Sequence, residues 1–399
     1  MKTKTYILAS LLLTGTLFSG SLYSQWNTIN PGTLENLHSV YILNDFNMLA
    51  SGKNGILLHS TDGGLNWSFV GVNTDLNIND IGFYDANIGY LIGEDGLFMK
   101  TTNAGASWTQ YPTGNMAEFE GIAVLNQTTV VGCGDFGTII KTTDGGSTWN
   151  VISSGTSVLL HKVFFTDENT GYAVGELGTL LKSTDGGDSW SVVESNTANE
   201  LNTIHFSPNG IGIIGGANGM ILKSDSGGEG WSSKNAPLND DLFGLTFVSN
   251  QTWYAIGNDG ALMRSDDNGD TWITEVTPTL SRLMDIEFSD SGIGIVVGRD
   301  GAMLRTEIAI TGIEEVSKDF MVVFYPNPVK DICSIKLEGT SVDGVSFHIY
   351  NLLGQDVMRV ENVGNKTLNL DLTGLDGGLY FYTIENRDKV FSTSKFVKD

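Results

Sequence analysis

Positive charge is scarce in this chain. Twenty-two Lys and Arg stand against 46 Asp and Glu in 399 residues, a formal net charge of −24. In residues 25–308 the balance is 11 against 33. Nucleic acid and anionic membrane surfaces require a basic footprint, so the composition counts against both as partners. Cysteine is rarer still, with only Cys133 and Cys333. They fall in different domains of the repeat map below, so no disulfide is expected even in an exported chain. After the first 24 residues no apolar run approaches the 18 residues of a membrane span. No His-x-x-x-His or Cys-rich metal spacing, phosphate-binding glycine loop or Gly-x-Ser-x-Gly elbow occurs in a suitable context, so no metal and no cofactor are expected. The five histidines, His38, His59, His161, His205 and His348, are scattered along the chain and read as structural or surface groups.

What the chain has in abundance is glycine, 50 residues of it, and a ruler of tryptophans. Trp67, Trp108, Trp149, Trp190, Trp231 and Trp272 are 41 residues apart, and one more step back lands on Trp26. A fixed period of about 40 residues with short alternating strands and glycine turns predicts a β-propeller rather than a helical solenoid. Each repeat reads as an apolar opening strand, a second strand ending in Gly-x-x-Gly, a third strand, an Asp-rich turn and a Trp-bearing fourth strand. The glycine pairs 52/55, 93/96, 134/137, 175/178, 216/219, 257/260 and 298/301 make seven copies, hence seven blades. A tight turn between antiparallel strands places residues at positive φ, which glycine tolerates. The seventh repeat supplies only three strands, and Trp26-Asn-Thr-Ile29 falls on the register of the missing one. The N-terminal segment should therefore close the ring and cover an exposed edge.

The Asp-rich turn Ser183-Thr-Asp-Gly-Gly-Asp-Ser-Trp190 and its copies from Ser60, Thr142 and Ser265 resemble the Asp-box, or bacterial neuraminidase repeat. Asp62, Asp144, Asp185 and Asp267 are expected to accept turn amides, with Trp67, Trp108, Trp149, Trp190, Trp231 and Trp272 covering the hairpins. Asn103 and Ser226 stand at the aspartate position in two copies. The stretch from Val174 to Gly187 also resembles propellers of the photosystem II stability and assembly factor family, a likeness of architecture that does not carry function. A basic column, His59, Lys100, Lys141, Lys182, Lys223, Arg264 and Arg305, precedes each turn and reads as structural pairing with neighbouring carboxylates. Cys133 shares a column with Ser51, Ile92, Val174, Gly215, Ile256 and Val297, a buried strand position.

Flanking the propeller are three other segments. Residues 1–24 have a charged start at Lys2 and Lys4, an apolar stretch and a small-residue exit, the pattern of a secretory signal peptide. Residues 309–319 lose the register and read as a linker. Residues 320–399 are short alternating strands with Gly, Asn and Pro turns, predicted as a small β-sandwich. Their order of Phe324-Tyr-Pro-Asn-Pro-Val329, then Phe347-His-Ile-Tyr-Asn-Leu-Leu-Gly354, then Gly378-Leu-Tyr-Phe-Tyr382, then Lys395 and Lys398, resembles the type A sorting domain of type IX secretion cargo. That resemblance implies an address for export across the outer membrane of Bacteroidetes-type bacteria, with the type IX machinery as partner and a secreted or surface location.

Asp-box propellers include sialidases and glucan hydrolases, so catalysis has to be tested against residues. A sialidase-like site needs three arginines around a carboxylate, and the propeller holds Arg264, Arg282, Arg299 and Arg305, two of them in the basic column. The leading reading is a non-enzymatic binding module for an unidentified protein or glycan. The alternative is a glycan-active hydrolase, sialidase- or xyloglucanase-like, using carboxylates on the Gly-x-x-Gly face. On that face the turn residues differ between blades, and diversity on a rigid frame suits recognition. The candidate ligand-binding residues are Glu94, Asp95, Asp135, Phe136, Glu176, Asn258, Asp259, Arg299 and Asp300.

Overall fold

The computed structural model describes residues 25–249, 251–308, 320–325, 329–339, 345–351, 356–363, 367–385 and 390–398. The signal-peptide and linker segments read from the sequence lie outside these residues, as does Pro326-Asn-Pro328 of the sorting motif. The described chain is all β, with short 3₁₀ turns and no α-helix. Two compact units divide it, residues 1–310 and 311–399.

In the first unit the 41-residue period becomes seven four-stranded antiparallel sheets, each formed from strands in chain order except the last. Blade four is typical, with strands Leu160–Phe165, Gly171–Gly175, Leu180–Ser183 and Ser191–Val192 running from inside to outside. The second strands are buried along their length, as in Gly89–Gly93 and Gly171–Gly175, which is why they read as apolar runs without alternation. Between blades, apolar faces pack together: Tyr172, Val174 and Leu180 of blade four meet Leu201, Ile204, Phe206 and Trp231 of blade five. Burying side chains of this size contributes roughly 1.5–3 kcal/mol each. Cys133 is buried in this layer, and neither it nor Cys333 is bonded to another cysteine. Burial pushes the Cys133 thiol up, which suits a small core residue.

The ring closes as the period predicts. Asn27–Thr28 pairs with Met303–Glu307, Asn27 opposite Arg305 and Thr28 opposite Leu304. Ile29 donates its amide to Met303 O at 2.9 Å, and Thr306 Oγ1 donates to Gln25 O at 3.0 Å. Trp26, 4% exposed, packs edge-on against Tyr254 and Phe288 and donates its indole N–H to Glu275 Oε2 at 3.2 Å.

The glycine turns contain two different constraints. The second glycine of each pair has positive φ, +67° at Gly137, as expected of a turn. The first is extended: Gly134 lies so close to the chain entering its own blade that a Cβ would sit 2.0 Å from Glu118 O. Between them a non-glycine residue is also left-handed, including Phe136 (φ 57°) and Leu177 (φ 54°).

The second unit contains two antiparallel sheets. Phe320–Tyr325, Ile332–Gly339 and Thr367–Asp371 form one; Asp356–Val363, Val345–Tyr350, Gly378–Glu385 and Val390–Lys398 form the other, in that spatial order. Phe347 and Tyr382 stack with ring centroids 5.1 Å apart, and Tyr380 donates its hydroxyl to Asp376 O at 2.9 Å.

A candidate binding channel

The seven inner strands surround a channel, and a cavity of about 560 Å³ occupies one end of it. Each inner strand begins opposite the first turn glycine, Leu37 beside Gly52 and Leu160 beside Gly175. The cavity therefore lies toward the Gly-x-x-Gly end, with Glu118, Glu200 and Arg282 at the strand entrances and Tyr41, Phe164, His205 and Glu287 farther in.

Every inner strand carries a β-bulge just after its first residue. The register shifts between Leu37 and Ser39, Ile78 and Asp80, Phe119 and Gly121, Leu160 and Lys162, Leu201 and Thr203, Leu242 and Gly244, and Leu283 and Asp285. A bulge adds one unpaired residue and re-aims its side chain, a device common beside functional sites. The seven extra residues are His38, Asn79, Glu120, His161, Asn202, Phe243 and Met284, all of which line the cavity. At one structural position the chain thus presents acid, base, amide, aromatic and thioether.

Adjacent inner strands are not paired to each other, so the edge N–H groups facing the next blade need side-chain acceptors. Acids in the channel supply several. Asp80 accepts from Ile122 N and Ile81 N at 3.0 Å and from Ser39 Oγ at 3.0 Å. Asp285 accepts from Val40 N at 2.9 Å, and Glu287 from Ile42 N at 2.6 Å. Lys162 reaches across to Asp80 Oδ2 at 2.8 Å. It keeps 31% of its side-chain surface open, onto the channel. Burial disfavours its ammonium, and the attraction of Asp80 and Asp285 outweighs that, so its pKa is raised.

Other groups in the channel are shifted mainly by burial. The carboxyl of Glu120 is pushed up to about 7 by desolvation, with Glu118, Asp135 and Asp80 adding repulsion. Desolvation also raises Asp285, and raises Glu287 strongly. It lowers His205 to about 4, aided by Lys162, and it lowers His38. His38 Nδ1 donates to Asn79 Oδ1 at 3.0 Å, and Asn79 Nδ2 donates to Phe119 O and Glu118 Oε1. His161 Nε2 lies 2.8 Å from Glu200 Oε1, close but out of line for a hydrogen bond. Arg282 stacks over Phe243 at 4.5 Å and donates from Nε to Asn258 Oδ1 at 2.6 Å.

None of the nine turn residues picked from the sequence lines this cavity. Glu94, Asp95, Asp135, Phe136, Glu176, Asn258, Asp259, Arg299 and Asp300 form an outer rim, tied to the entrances by backbone bonds such as Asp135 N to Glu118 O and Arg299 N to Arg282 O, each 2.9 Å. Some are occupied structurally: Glu94 accepts from Asn77 N, and Asn258 donates to Asp241. Phe136 is 79% exposed. Three of the five histidines are brought together in space, His38, His161 and His205 all facing the cavity, whereas His59 and His348 lie elsewhere. His38 and His161 occupy the same bulge position three repeats apart, a signal that aligning the opening strands on the 41-residue period would have exposed.

The opposite face repeats one turn, with its carboxylate in four of the seven blades. In the Asp-rich turn, Ser183 Oγ donates to Asp185 Oδ1 and accepts from Gly187 N, both 2.8 Å, while Asp185 accepts from Ser189 N and Oγ. The same bonds recur around Asp62, Asp144 and Asp267, and Trp67, Trp108, Trp190 and Trp272 donate to the turn carbonyl three residues before them. Asn103 substitutes fully, accepting from Ser107 N at 3.0 Å. The bonds with Thr148 and Ser189 hold Asp144 and Asp185 at about 2. Basic-column residues reach the turn of the following blade, Lys141 to Asp188 at 2.6 Å, Lys182 to Glu229 and Lys223 to Asp270 at 2.9 Å. No cation of this kind faces the channel.

Fold and site together define a seven-bladed propeller with repeated Asp-rich turns and a separate C-terminal unit. The chain belongs to the family of photosynthesis system II assembly factor YCF48, whose model matches residues 66–158, 147–244 and 238–307, together more than half of it. A second family model, the secretion system C-terminal sorting domain, matches residues 323–399. The protein is therefore a propeller module carrying a type IX sorting domain, which directs export to the cell surface or beyond. Among solved structures it is similar to YCF48 bound to D1 peptide (23% identity, TM-score 0.63, 72% of this chain and 96% of that one). It is also similar to YCF48 from Cyanidioschyzon merolae (18%, 0.60, 71% and 98%) and to the WD40 β-propeller domain of Doa1 (14%, 0.58, 72% and 97%). These are likenesses of fold. No curated protein matches the chain significantly.

Proposed function

We propose that the protein is a non-catalytic binding module that works on the cell surface or outside the cell, engaging its partner through the Gly-x-x-Gly end of the channel. The observation that carries this reading is the bulge position, where seven side chains of five kinds meet around one cavity while the other face repeats variants of a single turn. A cavity of about 560 Å³ is in the range of ligand sites. The turn residues Glu94, Asp95, Asp135, Phe136, Glu176, Asn258, Asp259, Arg299 and Asp300 would form the rim of the contact. A YCF48 propeller described as bound to a peptide lends support, since it shares the fold. A photosynthetic role does not follow, because the sorting domain sends this chain outward.

A cell-surface extract passed over the immobilised full chain tests the reading. A partner retained by the wild type should be lost with Arg282→Ala or Phe136→Ala and kept with Ser265→Ala. Retention that survives channel and rim changes and depends on the Asp-rich turns would overturn it. A hydrolase would use Glu120, whose raised pKa suits a proton donor. Glycoside turnover that disappears in Glu120→Gln would replace binding by catalysis.

A further inference from the structure

The cavity is unevenly satisfied: Asn202 Oδ1, His161 Nε2 and His205 Nδ1 in its lining have no hydrogen-bond partner among the described residues. Glu120 makes no hydrogen bond or ion pair among the described residues. Asn202, one blade beyond its neighbour His161, is 8% exposed; its Nδ2 donates to Leu242 O, and its Oδ1 has no partner among the described residues. The equivalent Asn79 has its Oδ1 filled by His38, whereas His161 turns toward Glu200 and leaves Asn202 Oδ1 open. Asn202 Oδ1 can only accept, and Glu120 likewise once ionised, so the partner missing from this sector is a donor. The charge agrees. The lining includes Asp80, Glu118, Glu120, Glu200, Asp285 and Glu287 against the permanent cations Lys162 and Arg282. Lys162 is spent on Asp80, and Arg282 on Phe243 and Asn258.

We propose that the sector between Glu120 and Asn202 receives an ammonium or guanidinium group, the side chain of a lysine or arginine in a peptide partner. This rests on the binding reading above and adds the chemistry of the ligand. A cation entering this sector would bring donors to it and offset the excess of carboxylates, which an acidic group could not do. The rim favours a peptide as the carrier. Leu34 (85% exposed), Met116 and Leu280 stand out on the loops that pack against the turn glycines 301, 96 and 260, with Phe136 and Leu177 on the turns themselves. Apolar residues flanking the basic one would cover these, and the acidic cavity would fix its position.

The test uses the full chain and three blocked pentapeptides, Leu-Gly-X-Gly-Leu, in which X is lysine, norleucine or glutamate, titrated by calorimetry. The lysine peptide should bind at least about tenfold more tightly than the norleucine one, and Glu120→Gln should remove that advantage. Asp290→Asn, at an exposed acid on the opposite face, should leave it intact. Equal or tighter binding of the norleucine or glutamate peptide, an advantage unchanged in Glu120→Gln, or no binding of the lysine peptide would overturn the cation assignment. A neutral or acidic ligand captured by the channel and lost with Phe243→Ala would do so while leaving the binding reading in place.

Discussion

The two ends of the propeller solve the same problem of seven-fold repetition in opposite ways. At the Asp-rich end, one hydroxyl, one carboxylate and one indole close the turns of blades one, four and six, and in blades four and six a lysine of the preceding blade adds a clamp. At the channel end, the bulges release two histidines, two asparagines, a glutamate, a phenylalanine and a methionine, and Glu120 and Asn202 Oδ1 remain without donors. Buried polar groups are ordinarily satisfied, so leaving them open costs stability that the other end and the packed blades must offset. The comparison teaches where this fold concentrates stability and where it leaves room for a partner. It also makes a prediction about sign: changes at the Asp-rich end should weaken the protein, and removing an unsatisfied charge at the channel end should strengthen it.

The largest effect should come from the element both ends depend on. Removing residues 25–29 deletes the outer strand of blade seven, exposes Met303–Glu307 as an edge and removes the buried Trp26. A loss of about 3 kcal/mol or more is expected, with a fall in melting temperature. An unchanged melting temperature would mean that the ring does not need its clasp, and the comparison would then describe seven separate blades.

Glu120→Gln comes next, with the opposite sign. A carboxyl raised from 4.5 to about 7 holds its proton longer in the folded chain than in the unfolded one. Stability therefore falls as pH rises from about 4.5 to 7, by roughly 2 kcal/mol after allowing for channel water. Asp285 and Glu287, also raised, add to the same slope. Glu118, Asp135, Asp80 and Lys162 surround the site and keep their places in the variant. Denaturant titrations at pH 5 and pH 8 should show the variant gaining at pH 8 and matching the parent near pH 5. A loss at pH 8 would show that Glu120 is stabilising, and would erase the contrast between the ends.

Much of this was legible in the sequence, because the features that set the fold are repeated. The tryptophan spacing carried the blade count, the clasp at Trp26 and the two faces. The glycine pairs were legible as turns, but only half of their reason was. Positive φ explains Gly137, whereas Gly134 is required because Glu118 O occupies the place of its Cβ. The channel was hidden by the same regularity. Opening strands such as Leu160–Phe165 bury Leu160 and Val163, three residues apart, because the bulge shifts one residue out of the two-residue alternation. His161 and Glu120 then look like polar interruptions of a core strand. Variation between repeats is easiest to see at the turns, whose residues lie on the rim. Which side chains share a cavity depends on how seven inner strands converge, and spacing along one chain does not contain that.

The smallest effect is expected at the Asp-rich end, and comparing two blades makes it informative. Ser183 is nearly buried and its hydroxyl joins Asp185 Oδ1 and Gly187 N, both at 2.8 Å. Ser183→Ala leaves the Gly187 amide without an acceptor and frees one side of Asp185, for a cost of roughly 1 kcal/mol. In blade five the aspartate position holds Ser226, which approaches Ser224 Oγ only at 3.4 Å, and the indole N–H of Trp231 has no partner among the described residues. Ser224 still accepts from Gly228 N at 2.9 Å, but it no longer anchors a carboxylate. Ser224→Ala should therefore cost less than Ser183→Ala, with the difference coming from the bonds that Asp185 organises. Low pH should narrow the gap. The lowered pKa of Asp185 means that its ionised form stabilises the fold above about 3.8, and that contribution is lost as pH falls toward 2. Chemical denaturation of both variants at pH 7 and pH 2.5 measures this. If the two serines cost the same at pH 7, the hydroxyl alone closes the turn, and the carboxylate repeated around this face has some task other than holding it.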